Sequence, residues 1–255
     1  MNLNLKGKVA IVTGGGGGLG KAICKLLVQE GANVVLSFRS NEDEINAFVD
    51  NLNNKYGGRS IAVKGDLVNE TDINKLFYTA IQKFNCVDIL VNNAAIWTTA
   101  YVKDMEVEEF ERTLKINLQT PFVLSKMMVN HLINRKSKGK IINIVSQAAF
   151  HGSTTGHAHY AASKGGLVSF TISLAREVAK YGINVTAVAP GIIRTKITEK
   201  QLSTKKREEY YVNRIPLERI SEPEEVAYTV AFLASNKSDY ITGATIDVTG
   251  GMLMR

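Results

Sequence analysis

Cysteine is scarce in this 255-residue sequence: Cys24 and Cys86 are the two it contains, both among apolar neighbours. Two buried free thiols are expected, not a disulfide framework or a sulfur-ligated metal. No uninterrupted apolar run approaches the length that crosses a bilayer, and the opening Met1-Asn-Leu-Asn-Leu-Lys6 has no apolar core of a signal peptide. A cytoplasmic protein with no membrane partner is the expectation. There is no HExxH, no zinc-finger spacing and no RNP-type run. His151, His157 and His159 fall in one loop, but no carboxylate pair accompanies them, so no metal is expected and contact with substrate or a neighbouring loop is. Basic runs interleaved with stacking aromatics are missing too, which speaks against nucleic acid.

Hydrophobic residues make up 45% of the chain and charged residues 22%, an ordinary balance for one well-filled core spanning 1–255 as a single domain. The net charge of +7 is spread over many segments and reads as a solvated surface. Two denser groups stand out: Arg135, Lys136, Lys138 and Lys140, then Lys205, Lys206 and Arg207.

Short β-branched runs alternate with longer amphipathic stretches. The strand-like runs are Lys8–Thr13, Asn33–Phe38, Ser60–Lys64, Val87–Val91, Lys140–Val145, Ile183–Ala189 and Thr245–Val248, with helix-length segments between them. Strands apolar at nearly every position need cover on both faces. This predicts an α/β, Rossmann-type, doubly wound sheet of seven parallel strands with helices on each side. Ligands then collect at the carboxyl ends of the strands. The polar segment at about 194–219, with Lys205-Lys-Arg-Glu-Glu-Tyr-Tyr211 inside it, reads as a mobile helical lid over those ends.

Thr13-Gly-Gly-Gly-Gly-Gly-Leu-Gly20 follows the first strand and opens the first helix. Glycine lets backbone approach a pyrophosphate closely, and the free N–H groups of a helix start attract its charge, so Gly14, Gly17, Gly18, Leu19 and Gly20 are candidate dinucleotide contacts. At the end of the second strand, an NAD site needs a carboxylate for the ribose 2′-hydroxyl. Phe38 stands there, followed by Arg39 and Ser40, whose guanidinium fork and hydroxyl suit a 2′-phosphate. NADP(H) is therefore the expected cofactor, with NAD(H) second. Tyr160-Ala-Ala-Ser-Lys164 sets a phenol and an ammonium four apart on one helix face, and Ser146 closes the fifth strand just before. A phenol needs neighbouring positive charge to act as a base near neutrality, which Lys164 and oxidised nicotinamide would supply.

The glycine spacing, Asn92-Asn93-Ala94-Ala95 and Tyr-x3-Lys together resemble the short-chain dehydrogenase/reductase family over nearly the whole chain. The resemblance implies hydride transfer between nicotinamide and a carbonyl or secondary alcohol. Tyr160 is then the proton donor and acceptor, Ser146 the partner of the substrate oxygen, Lys164 a holder of the nicotinamide ribose, and Asn117 the anchor of a proton relay. It also implies cofactor contacts at Asp66 and Leu67, at Asn93, Ala94 and Ala95, and at Pro190, Gly191, Ile193 and Thr195. Ser146 and Tyr160 lie one residue further apart than is usual, placing an insertion in the loop from Phe150 to His159.

Ser173-Leu-Ala-Arg-Glu-Val-Ala179 and Ser221-Glu-Pro-Glu-Glu-Val226 are most similar to 3-oxoacyl-(acyl-carrier-protein) reductases of fatty acid biosynthesis, with a small-molecule or acyl-thioester substrate and acyl-carrier protein as a partner. Where members that read the carrier have arginines, Ser137 and Tyr181 stand here, with Lys136, Lys138 and Lys180 alongside. Phe38-Arg-Ser-Asn-Glu-Asp-Glu44 and the histidine loop leave a sugar or polyol dehydrogenase, similar to glucose 1-dehydrogenase, as the alternative. A non-catalytic NADP-binding regulatory protein is the alternative of another class. The last helix, Val226 to Ala234, and the final strand resemble the surfaces through which family members form homotetramers. Replacing Arg39 with alanine is expected to raise KM for NADPH much more than KM for NADH; steady-state kinetics with both nucleotides measures it, and equal effects contradict the assignment.

Overall fold

A computed structural model describes residues 3–57, 59–153, 155–199 and 201–255. Thr154 in the histidine loop, Lys200 in the polar segment and the first two residues of the N-terminal reading lie outside the described residues. Seven parallel strands form one sheet in the order β3-β2-β1-β4-β5-β6-β7. They are β1 (Val9–Val12), β2 (Asn33–Phe38), β3 (Ser60–Lys64), β4 (Ile89–Asn92), β5 (Gly139–Ile144), β6 (Ile183–Pro190) and β7 (Thr245–Val248). The order reverses between β1 and β4, and this switch opens a crevice above their carboxyl ends.

The two faces of the sheet are filled by alternate residues of each strand. Ala10 and Val12 of β1, with Val34 and Leu36 of β2, pack beneath α1 (Gly18–Gln29), α2 (Glu42–Tyr56) and the last helix, Pro223–Ala234. Ile11, Val35 and Ile141 face α3 (Glu70–Phe84) and α5 (Thr120–Asn134) on the other side. Between those two lies α4 (Val107–Leu114), joined to α5 by a π-helical turn over Lys115–Gln119. After β5 come a short α6 (Ala148–His151) and the long α7 (Ala158–Val178). Within the polar segment after β6 a helix does form, α8 (Lys205–Val212), and α9 is the last, Pro223–Ala234.

One expectation drawn from composition changes in the folded chain. Lys140 is not part of a solvated basic patch: it is 8% exposed, with Nζ 2.7 Å from Asp239 Oδ1 and 3.0 Å from Asn184 Oδ1. Its β5 position is a buried one, so the charge is matched inside the fold. The apolar face of α9 belongs to the chain's own core, where Val226, Ala227, Val230 and Ala231 are buried with α1. The large apolar groups left in solvent include Val107, Phe110, Phe122 and Ile172 on α4, α5 and α7, which the sequence reading did not single out. Cys24 is buried and Cys86 half-buried; both are free thiols.

A thread of buried amides crosses the sheet just below the crevice. Asn92 Nδ2 donates to Asn143 Oδ1 at 2.8 Å, and Asn143 Nδ2 to Thr171 Oγ1 on α7 at 2.9 Å. Asn143 and Thr171 are fully buried. Asn143→Ala strands the Asn92 Nδ2 donor on one side and the Thr171 Oγ1 acceptor on the other, and is expected to cost about 3 kcal/mol, measured as a shift of the urea midpoint at unchanged m value.

Candidate active site

The crevice is a cleft of about 710 Å³ running along the carboxyl ends of the strands. At one end the turn between β1 and α1 forms its floor. Gly14 takes φ of +63° and lies against Ala94, while a methyl group on Gly20 would collide with the Gly14 carbonyl oxygen. No side chain caps the first turn of α1 and no acidic residue stands in it. Its backbone donors are thus left to an anion in the cleft. Thr195, from the segment after β6, packs its methyl against Gly18 from above.

This turn is pinned from behind by Thr13 and Asn93 of the motifs and by Ser37, which the sequence reading did not weigh. Gly14 N–H donates to Ser37 Oγ at 3.0 Å. Thr13 Oγ1 accepts from the Asn93 and Ala94 N–H groups, both at 2.9 Å, and Asn93 Nδ2 donates to the carbonyl oxygens of Thr13 and Gly14 at 2.9 and 3.2 Å. The carboxyl ends of β1, β2 and β4 are thereby locked together. Phe38, in the position where an NAD site carries its acid, is buried in the core. Arg39 and Ser40 are exposed and line the cleft. Asp66 and Leu67 line it beyond β3; Asp66 Oδ1 accepts from Val68 N–H, and the Leu67 carbonyl from Thr120 Oγ1. Glu44 also reaches this end, its carboxylate held 2.5 Å from Lys21 Nζ, which lowers its pKa.

At the other end, Ser146, Tyr160 and Lys164 line the same cleft. Ser146 lies two residues past β5, its hydroxyl hydrogen-bonded to the Tyr160 phenol. Lys164 is 2% exposed, with Nζ 5.7 Å from the centre of the Tyr160 ring and donating to the Ile144 carbonyl at 2.7 Å. Burial lowers its ammonium to about 7. In the protein alone the pKa of the phenol is raised, because desolvation outweighs the Ser146 hydrogen bond; the expected lowering calls on oxidised nicotinamide as well as Lys164. With its ammonium lowered to about 7, Lys164 is only partly charged near neutrality.

Asn117 sits in the π-turn and is fully buried. It lies behind the cleft, where its amide clamps both the N–H and the carbonyl of Ile96 and donates to Ser163 Oγ at 3.1 Å. Ser163 in turn donates to the Tyr160 carbonyl at 2.7 Å. Pro190 and Gly191 close the wall above β6, with Gly191 N–H bonded to the Val248 carbonyl, and Ala95 and Ile193 line it nearby. Two histidines of the insertion loop meet the loop after β4: His157 Nε2 is 3.0 Å from Thr99 Oγ1, and His159 Nε2 3.0 Å from Thr98 Oγ1. His157 also stacks on Trp97, with ring centres 4.7 Å apart, and Trp97 stands 6.3 Å from the Tyr160 ring. Trp97 was legible only as a lone tryptophan; its place in the cleft depends on how these two loops fold together.

The cleft therefore has a floor of uncapped backbone donors, a guanidinium beyond it and a phenol, hydroxyl and amine at its far end, and these residues fit a dinucleotide. Residues 15–253 match the family described as enoyl-(acyl carrier protein) reductase. The 3-oxoacyl-(acyl-carrier-protein) reductase FabG of Rickettsia typhi is 42% identical over 252 residues, covering 99% of both chains. The chain belongs to the short-chain dehydrogenase/reductase family. It is, with that family, an NAD(P)-dependent oxidoreductase. A glucose/ribitol dehydrogenase of the family from Brucella melitensis superposes with a TM-score of 0.91 at 33% identity, covering 100% of each chain. A blue fluorescent protein from a metagenomic library, solved in complex with NADPH, does so with a TM-score of 0.90 at 34% identity over 98% of this chain and 100% of its own. No helix among the described residues is long and apolar enough to cross a membrane.

The buried amine gives a stability signature. Its folded value of about 7 lies below the ordinary lysine value of 10.5, so between them the unfolded chain binds a proton that the folded chain lacks. Stability from this group therefore rises with pH across that window. Urea midpoints taken from about pH 7.5 to 9.5 should climb more steeply in the parent protein than in Lys164→Met.

Proposed function

We propose that this protein is an NADP(H)-dependent reductase of 3-oxoacyl thioesters, acting on a carbonyl held between Ser146 and Tyr160. What carries the reading is one continuous cleft that joins the glycine turn and Arg39 to the Tyr160, Ser146 and Lys164 cluster. Full-length similarity to a 3-oxoacyl-(acyl-carrier-protein) reductase at 42% identity supports the thioester as substrate. The exposed Arg39, next to a Phe38 that stands where an NAD site has its carboxylate, supports the phosphorylated nucleotide, with NAD(H) as the weaker alternative.

NADPH would lie along the glycine turn with its 2′-phosphate at Arg39 and Ser40, and when bound it supplies the hydride. Asp66 and Leu67 would flank the adenine, and Asn93, Ala94 and Ala95 would support the nucleotide from the end of β4. Pro190, Gly191, Ile193 and Thr195 would back the nicotinamide half. Ser146 donates its hydroxyl hydrogen to the substrate carbonyl oxygen and polarises it. Tyr160 gives up its phenolic proton to the developing alkoxide; a phenol whose pKa burial raises is fully protonated near neutrality and ready for this step. Lys164 stabilises the phenolate that remains and holds the ribose, and Asn117, clamped behind α7, anchors the relay that returns the proton. Oxidation of an alcohol runs the same steps backwards and needs the phenol lowered first.

The segment 194–219, carrying α8, serves as the substrate lid of a single catalytic domain. The chain assembles as a homotetramer, for which the exposed apolar side chains on α4, α5 and α7 and the open edge of β7 offer surface. Sugar or polyol oxidation is the second reading, favoured by the similarity to a glucose/ribitol dehydrogenase; assays of acetoacetyl-thioester reduction beside glucose oxidation separate the two. Tyr160→Phe is expected to lower kcat by about a thousandfold while NADPH still binds, as followed by nucleotide fluorescence. Retained turnover would contradict the assigned proton donor.

A further inference from the structure

Two arginines line the cleft with no carboxylate partner among the described residues: Arg39 at the nucleotide end and Arg214 at the substrate end. The contrast with the other arginines of the lid is sharp. Arg194 pairs with Glu208 at 2.6 Å and Glu222 at 3.4 Å, and Arg219 grips both oxygens of Glu225 at 2.7 and 2.5 Å. Three carboxylates in and beside the lid are thereby taken up, and none of them reaches Arg214. Just past the end of α8, Arg214 donates from Nη1 to the Tyr210 hydroxyl at 3.1 Å, and its guanidinium lies 5.3 Å from the centre of that ring. A guanidinium bonded and stacked in this way stays at the cleft wall instead of sweeping through solvent, and most of its donors remain unused.

A second observation points to a polar occupant at the same end. Gln147, next to Ser146, is 6% exposed and donates from Nε2 to Met252 Sδ, while its Oε1 is buried with no donor. Both Gln147 and Met252 line the cleft with Arg214. A buried acceptor without a partner is costly until a ligand brings it an N–H or O–H.

We propose that Arg214 is a specificity-determining residue, which selects carbonyl substrates bearing a phosphate or carboxylate at the end remote from the reacting carbonyl. This inference rests on the reading of the cleft as a carbonyl reductase site. The fork of donors matches either anion bidentately. Because Arg214 is exposed, its attraction is screened by salt and shapes KM more than kcat.

The test compares acetoacetyl thioesters of phosphopantetheine, of neutral pantetheine, of N-succinylcysteamine and of neutral N-acetylcysteamine, with NADPH, in the parent protein, Arg214→Gln and Arg214→Lys. The expected kcat/KM preference for an anionic over its neutral counterpart is about tenfold in the parent, carried by KM, reduced in Arg214→Lys and near unity in Arg214→Gln. It should also shrink as salt is raised. A preference confined to the phosphate pair or to the carboxylate pair assigns the anion. A parent ratio near one in both pairs, or a ratio unchanged by Arg214→Gln, overturns the proposal.

Should the parent reduce none of these thioesters, the reductase reading falls, and binding still decides the role of Arg214. Trp97, the single tryptophan, lines the cleft, so its fluorescence reports phosphopantetheine and pantetheine binding to the NADP⁺ complex. Tighter binding of the phosphorylated probe that is lost in Arg214→Gln upholds the proposal; equal binding of both probes by the parent overturns it.

Discussion

A lysine side chain 2% exposed to solvent is the group around which the rest of the catalytic end is arranged. Taking an ammonium out of water is so unfavourable that its pKa falls to about 7, and one short hydrogen bond to the Ile144 carbonyl is what the protein offers in return. That bond fixes α7 against the end of β5, and it sets the Tyr160 ring one helical turn away from the amine. Lys164 is thus both an orienting strut and an acid–base group whose charge responds to whatever enters the cleft. Burial raises the phenol in the protein alone, and a bound nucleotide with its own charge and ribose hydroxyls would change that balance.

The same economy of polar contacts holds the other end. Thr13, Asn93 and Ser37 satisfy backbone groups on the protein side of the glycine turn and leave the first turn of α1 free of any side-chain cap. The turn is therefore rigid from behind and open in front, the condition for binding an anion through backbone donors without paying to reorganise them. Asn117 plays the corresponding part at the substrate end, joining Ile96 to Ser163 and so the loop after β4 to the tyrosine helix. Polar groups in these places work through position, and their bonds cross between elements far apart in sequence.

Much of this was readable from the chain. Unbroken apolar runs separated by helix-length stretches specified the seven strands to within one or two residues at each end, because strands covered on both faces need hydrophobic side chains in both directions. Glycine spacing, the absence of an acid at Phe38 and the Tyr160–Lys164 interval are local patterns, and local patterns survive in sequence. The histidine loop was legible only in part. Its imidazoles were expected to touch substrate or a neighbouring loop, and His157 and His159 bond to Thr99 and Thr98 on another loop, a pairing of partners that only folding could set.

Sequence by itself determined the layered fold, the family and the residue types at the two ends of the cleft, since each follows from periodicity or from short-range spacing. Tertiary structure alone decided which charges are free. Lys140 looked like surface and is buried against Asp239, whereas Arg214, which the sequence reading did not single out, lines the cleft with no carboxylate partner among the described residues. Composition counts charges but cannot pair them, because a pair forms only when folding brings residues as distant as 140 and 239 to within hydrogen-bonding range.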